Sequence, residues 1–211
     1  MNFQLKKWCA LPAIMLMAGS VAFAQEQSQS QDPKPKSEVG KREENQQDRI
    51  ANGVKSGQLT AGETSKLETK EAAINGEIKA DRAANGGKLT AAEKAKVNRQ
   101  QDRLSKQIYD DKHNAKTAHY GNNEVDQRRE NQQDRIAQGV KSGQLTAGET
   151  AKLEKQQQGI NKQVAQDRKA NGGTLTASQK KQINKEQNQA SRNIYRKKHN
   201  PATQPGAQPK P

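Results

Sequence analysis

Residues 37–114 return as residues 123–200 at a constant offset of 86, without a gap and with 46 of 78 aligned positions identical. Whatever architecture one copy adopts, the other must be able to adopt too. A smaller theme, G-x-L-T-x-x-E/Q, recurs inside each copy: GQLTAGE at 57–63, GKLTAAE at 87–93, GQLTAGE at 143–149 and GTLTASQ at 173–179. Thr followed three residues later by Glu or Gln is a capping box, in which the hydroxyl accepts from the N3 amide and the N3 side chain reaches back to the N-cap amide. The upstream Gly suits the left-handed position that ends the preceding helix. The Leu before the Thr stands where a hydrophobic staple packs. Four such junctions predict helix, corner, helix.

The helices predicted in copy one start at Ser37, Thr60 and Thr90 and end near Asn52, Asn85 and His113. Copy two repeats them from Asn123, Thr146 and Thr176. Leu67, Ile74 and Ile78 fall at i, i+7 and i+11, as do Val97, Leu104 and Ile108. That is one narrow helical stripe in each case, and no segment alternates like a strand. The fold class is all-α: two tandem three-helix units with disordered termini. The predicted core of copy one is Ile50, Val54, Leu59, Leu67, Ile74, Ile78, Leu89, Val97, Leu104, Ile108 and Tyr109. That is thin for a unit of this size, since one small core contributes only about 3–5 kcal/mol. Copy two thins it further with Ala190 at the register of Leu104. Either the copies pack on each other or each stays marginal and flexible.

The first 24 residues have the pattern of a secretory signal peptide: Lys6 and Lys7, an apolar run from Trp8 to about Ala18, and Ala22-Phe23-Ala24 as the cleavage pattern. The mature chain then begins at Gln25, in a bacterial periplasm or outside the cell, and spans no membrane. Residues 25–36 form a Gln/Ser/Pro-rich leader expected to be disordered. Residues 115–122 join the copies, and residues 201–211 form a Pro-rich tail, also expected to be disordered. The one cysteine, Cys9, lies within the signal, so the mature chain offers no disulfide and no thiol chemistry.

Enzyme chemistry finds no foothold: the chain carries no nucleophile motif, no phosphate loop and no HExxH. His113 and His199 belong to a basic last turn that complements the helix dipole, with Asn114 and Asn200 as C-caps. His119 lies in the linker. The dipeptides Asp48-Arg49, Asp81-Arg82, Asp134-Arg135 and Asp167-Arg168 have the spacing of exposed charges in i,i+4 pairs. No cofactor is called for, and nothing points to a small-molecule substrate.

Three readings remain for the function, all non-enzymatic. DRAANGGKLTAAE (81–93) resembles an EF-hand loop, and the resemblance implies calcium at Asp81, Asn85 and Glu93 about the turn glycine Gly86. Ala83 stands at the second ligand position, the loop is one residue longer than an EF-hand loop, and copy two carries Gln179 for Glu93. LTASQ at 175–179 is similar to the LTxxQ motif of the Spy/CpxP periplasmic chaperones, and LTAGE and LTAAE depart from it by one residue. That resemblance implies an exported, stress-protective protein that holds unfolded protein clients without ATP on a concave, partly apolar, basic helical surface; in this chain the working surface would be the grooves between the second and third helices and the basic face of copy two. The full unit resembles exported bacterial proteins with the pattern QGVxSGQLTxxE…IYRxKHN, which brings no activity with it.

Charge supplies the third reading. The net charge is +14, of which copy one carries +2 and copy two +8. Arg192, Arg196, Lys197 and Lys198 cluster near Lys180, Lys181 and Lys185, a face suited to an envelope polyanion. Export disfavours nucleic acid, and Tyr109, Tyr120 and Tyr195 are few aromatics for base stacking. The orientation of the copies and the oligomeric state stay open at this level.

Overall fold

The computed structural model describes residues 37–205 and residue 207. The residues read as signal peptide and leader, together with residues 206 and 208–211 of the Pro-rich tail, lie outside them. The described residues form six α-helices and no strand: α1 Glu38–Lys55, α2 Ala61–Ala84, α3 Ala91–Lys112, α4 Glu124–Lys141, α5 Ala147–Ala170 and α6 Ala177–Lys198. The chain is all-α.

All four predicted corners form. Thr60, Thr90, Thr146 and Thr176 are N-caps, each with both halves of its capping box closed, by Glu63, Glu93, Glu149 and Gln179. Replacing such a cap typically costs about 1 kcal/mol. Gly57 and Gly143 take φ of 70°, the left-handed turn that ends α1 and α4. The staple leucines Leu59 and Leu145 turn inward and are almost fully buried. They close on Gly53 and Gly139, where a Cβ would lie 2.7 and 2.6 Å from the leucine side chain. These two corners therefore each use two glycines, Gly57 or Gly143 for conformation and Gly53 or Gly139 for space.

The ends of α3 and α6 differ from expectation. His113 and His199 are themselves the C-caps. Their rings stack on Tyr109 and Tyr195, with centroids 4.1 Å apart. Asn114 and Asn200 instead reach back to the next corner up, donating to Glu63 Oε1 and Glu149 Oε1. Tyr109 is 57% exposed and does not join the core. The other ten predicted core residues are buried.

The Asp-Arg dipeptides are also placed differently. Arg49 and Arg135 donate to the backbone carbonyls of Ser105 and Ser191 on the facing helix. Arg82 reaches Ser37 Oγ, and Arg168 pairs with Asp126. These arginines tie helices together across the unit instead of pairing along one helix.

The two copies belong to one compact unit. The largest helix–helix interface lies between them, α2 against α5, followed by α1 against α4. A Cβ on Gly62 would meet Gln158, and one on Gly148 would meet Ala72. These opposed registers show that α2 and α5 run antiparallel. Ala61, Gly62, Ala147 and Gly148 keep the seam narrow, and Ser65 Oγ donates across it to the carbonyl of Ala151 at 3.0 Å. Ala137 of copy two joins the core of copy one, and Ala51 of copy one joins that of copy two. The thin core is thus solved by mutual packing.

The corner geometry predicts opposite outcomes for two glycines in copy two. Gly139→Ala drives a Cβ into Leu145 and destabilises by about 1–3 kcal/mol, the range for overpacking a filled site. Gly159→Ala, with nothing within 4 Å of the new Cβ, stabilises by about 0.5–1 kcal/mol by removing a helix-interior glycine. Urea unfolding of the two variants distinguishes them.

Candidate functional site

The candidate calcium residues are brought together only in part. Asn85 Nδ2 donates to both carboxylate oxygens of Glu93, at 2.9 and 3.0 Å, and to the backbone carbonyl of Asp81. Glu93 also accepts from the Thr90 amide. Asp81 thus contributes its backbone, not its carboxylate, and Asn85 turns its nitrogen toward the glutamate. In copy two Asn171 donates in the same way to Gln179. Among the described residues no group of three or more His, Cys, Asp or Glu side chains converges as a metal site would.

The basic candidates divide into two groups. Lys180, Lys181, Lys185 and Arg192 line one shallow groove on α6, together with Asn184 and Asn188. Arg196 continues it, exposed, one turn beyond Arg192. From Lys181 to Arg196 the stripe runs about 22 Å at 1.5 Å per residue. Lys197 and Lys198 turn away from it. Lys197 pairs with Glu149 at 3.6 Å. Lys198 packs its stem against the Gly139 position, and burial, with Arg135 nearby, pulls its ammonium below the usual lysine range.

Comparison with α3, at the same registers, explains why this stripe is positive. In copy one Arg42 pairs with Asp102, and Lys106 pairs with Asp110 at 2.8 Å. In copy two Asn188 replaces Asp102, Arg196 replaces Asp110, Lys197 replaces Asp111 and Gln179 replaces Glu93. One acid, Glu186, remains on α6, half-buried and accepting from Gln182. The backbone is repeated, and the counter-charges are gone.

The grooves between second and third helices are modest. That between α2 and α3 encloses about 410 Å³ and is rimmed by Lys70, Glu77 and Arg103. Tyr109 and Tyr195 are the only exposed large hydrophobic residues among those described.

A layer of buried carboxyl groups lies where the copies meet, and the apolar periodicity gives no sign of it. Glu68, Glu71 and Glu154 have no exposed surface. Glu68 accepts from Gln47 and its counterpart Glu154 from Gln133, at 3.1 and 3.0 Å. Burial pushes both carboxyls up to about 8, with Glu154 adding to the effect at Glu68. Glu71 rises to about 9 through burial and then through Glu43 and Glu68. Neither Glu71 oxygen, nor the buried Gln46 Oε1, has a hydrogen-bond partner. At the same registers of copy two Gln157 Nε2 donates to Gln132 Oε1 at 3.1 Å. A protonated Glu71 restores that donor, so it acts as the neutral counterpart of Gln157. The signal that would have found this layer is the run of polar residues Glu68, Glu71, Glu154 and Gln157, which fall on the same helical face as the apolar stripe.

No protein-family model matches the chain, and neither the curated proteins nor the solved structures contain a match.

The carboxyl layer has a defined pH signature. Between an ordinary value near 4.5 and the raised values, the unfolded chain releases protons that the folded chain retains. This contribution is therefore fully present below about pH 4.5 and is lost as pH rises through 8–9. Glu71→Gln should raise the unfolding free energy at pH 8 by about 1–3 kcal/mol, the scale of an uncompensated buried polar group. The same variant should change little at pH 4. Chemical denaturation at both pH values measures the difference.

Proposed function

We propose that this is an exported, non-enzymatic binding protein that holds an acidic polymer of the cell envelope along α6. The observation that carries the reading is the stripe from Lys181 to Arg196, freed of the acidic partners that its counterpart α3 retains. Like charges kept this close on one helix face destabilise an isolated helix, so the arrangement gains from an anionic ligand. A linear polyanion with charges spread over about 22 Å suits it, and binding releases condensed counterions. Export, read from residues 1–24, directs the expectation toward anionic glycans and lipopolysaccharide and away from nucleic acid.

The likeness to the LTxxQ chaperones suggests a second activity, the holding of unfolded clients. That activity needs a broad exposed apolar surface. Large apolar side chains are exposed only at Tyr109 and Tyr195 among the described residues, so we rank polymer binding first.

Heparin affinity chromatography tests this reading. The full chain should be retained at low salt and elute as salt rises. Each contact removed by Lys181→Glu, Lys185→Glu or Arg192→Glu should lower the logarithmic salt slope by about 1. Asn188→Asp with Arg196→Asp, which transplants copy one's acids, should weaken retention as well. Equal weakening by Lys94→Glu and Arg99→Glu on α3 would show general charge attraction and overturn the assignment to α6.

A further inference from the structure

The basic stripe of α6 ends at an aromatic ring, which electrostatics alone gives no role. Tyr195 is 57% exposed, and its ring stacks on His199 with the two planes 25° apart. The stack is held from its base. The Tyr195 carbonyl accepts from the His199 amide at 3.1 Å and meets His199 Nδ1 at 2.7 Å. A carbonyl only accepts, so Nδ1 carries the proton. The ring is therefore ordered before any ligand arrives, which lowers the entropy lost on binding.

Helix geometry puts this ring on the stripe and not beside it. At 3.6 residues per turn, Lys181, Lys185, Arg192, Tyr195, Arg196 and His199 fall within an arc of about 100°, and all six are exposed. Lys181 and Lys185 are one turn apart, about 6 Å, and so are Arg192 and Arg196. Between the two pairs Asn188 accepts from Arg128 of α4, which brings a further guanidinium to the middle of the stripe. Arg192 donates to Gln189, a neutral partner that leaves its charge uncompensated. Tyr195 thus lies between two cations at the end of a row of cations.

Copy one holds the same ring in a different electrostatic setting. Tyr109 stacks on His113 with the same centroid separation of 4.1 Å and the same exposure as Tyr195. Its flanking residues at the registers of Arg192 and Arg196 are Lys106 and Asp110, which pair with each other at 2.8 Å. Asp102, at the register of Asn188, pairs with Arg42. The ring platform is common to both copies, whereas only Tyr195 is set among cations. Tyr109 is therefore an internal control: any purely structural effect of removing the stack appears there too.

We infer that the polymer held by α6 is an acidic polysaccharide, with one sugar ring seated on Tyr195 and the acid groups around it met by Arg192, Arg196 and the lysines behind them. The inference rests on the proposed role of the stripe and names its ligand class. A pyranose presents C–H groups on its face and hydroxyl or carboxylate groups at its rim. An open tyrosine ring buries the C–H face, is rigid and amphipathic, and so offers contact area at low entropic cost. The cations on either side then take the rim. An acidic polymer without sugar rings gains from the cations and nothing from Tyr195. Single-stranded nucleic acid stacks on aromatic side chains too, but it uses them in succession, and α6 offers one.

Titration calorimetry of the full chain with an oligogalacturonate tests it, with an oligoglutamate of matched charge as the acid polymer that lacks sugar rings. The expected result is tighter binding of the saccharide, and a loss of at least about fivefold in Tyr195→Ala, the scale of one stacked ring. Tyr195→Phe and Tyr109→Ala should keep wild-type affinity, and oligoglutamate should bind Tyr195→Ala as it binds wild type. Circular dichroism confirms that each variant folds. Equal binding of the two polymers, with Tyr195→Ala unchanged and Lys185→Glu/Arg192→Glu weakened for both, would overturn the saccharide and leave the stripe in place. Binding indifferent to Lys185→Glu/Arg192→Glu would overturn the stripe and the saccharide together. Equal loss in Tyr109→Ala, or tighter Tyr195-dependent binding of oligothymidylate, would also overturn the inference.

Discussion

The antiparallel seam between α2 and α5 is the contact on which the rest of the molecule rests. Ala61, Gly62, Ala147 and Gly148 let the two helices approach closely, and Ser65 bonds across the gap. Close approach removes Glu68, Glu71 and Glu154 from water. Charged carboxylates in that position would carry a large desolvation cost, so the seam holds them as neutral acids. It also places the start of each second helix over the other copy, and this overlap forms a groove on each.

A duplicated backbone has allowed the two halves to diverge in chemistry without diverging in shape. The buried latches are common to both: Gln46 and Gln132 donate to the carbonyls of Gln101 and Gln187, which in turn donate to those of Val39 and Val125. The changes fall on surfaces and grooves. Acids on α3 become amides and cations on α6, and Arg129, Gln158 and Lys162 of one groove become Glu43, Ala72 and Gly76 in the other. A fold whose corners are secured by glycine, leucine and capping box tolerates such exchanges: the one that falls in a capping box, Gln179 for Glu93, still accepts from the N-cap amide.

The corners were legible because they are local. A capping box uses four consecutive residues, and Gly57 or Gly143 needs only its own φ, so chain neighbours suffice to define them. Tyr109 was misplaced in the core because the apolar stripe counts a ring by hydropathy, whereas at the end of α3 the ring has His113 to stack on and no helix to cover it. Asn114 and the Asp-Arg dipeptides were misread for a related reason. Their partners, Glu63 for Asn114, Ser105 for Arg49 and Asp126 for Arg168, lie 40 to 60 residues away, beyond the reach of spacing rules. The basic stripe was visible as composition, but its division, with Lys197 and Lys198 turned toward Glu149 and Gly139, required coordinates.

By itself the amino-acid order determined six helices, their boundaries at the Gly-x-Leu-Thr corners and ten of the eleven core positions proposed for copy one, because helix periodicity and capping act over a few residues. Tertiary structure alone decided that the copies share one interior, that three glutamates sit buried between them, and that one groove is lined by Tyr120 and Arg129 while its twin is lined by Glu43 and Asn75. Those outcomes depend on which surfaces meet across a long stretch of chain. Local propensity does not encode that choice, whereas burial, hydrogen-bond satisfaction and close packing settle it only when all six helices are in place.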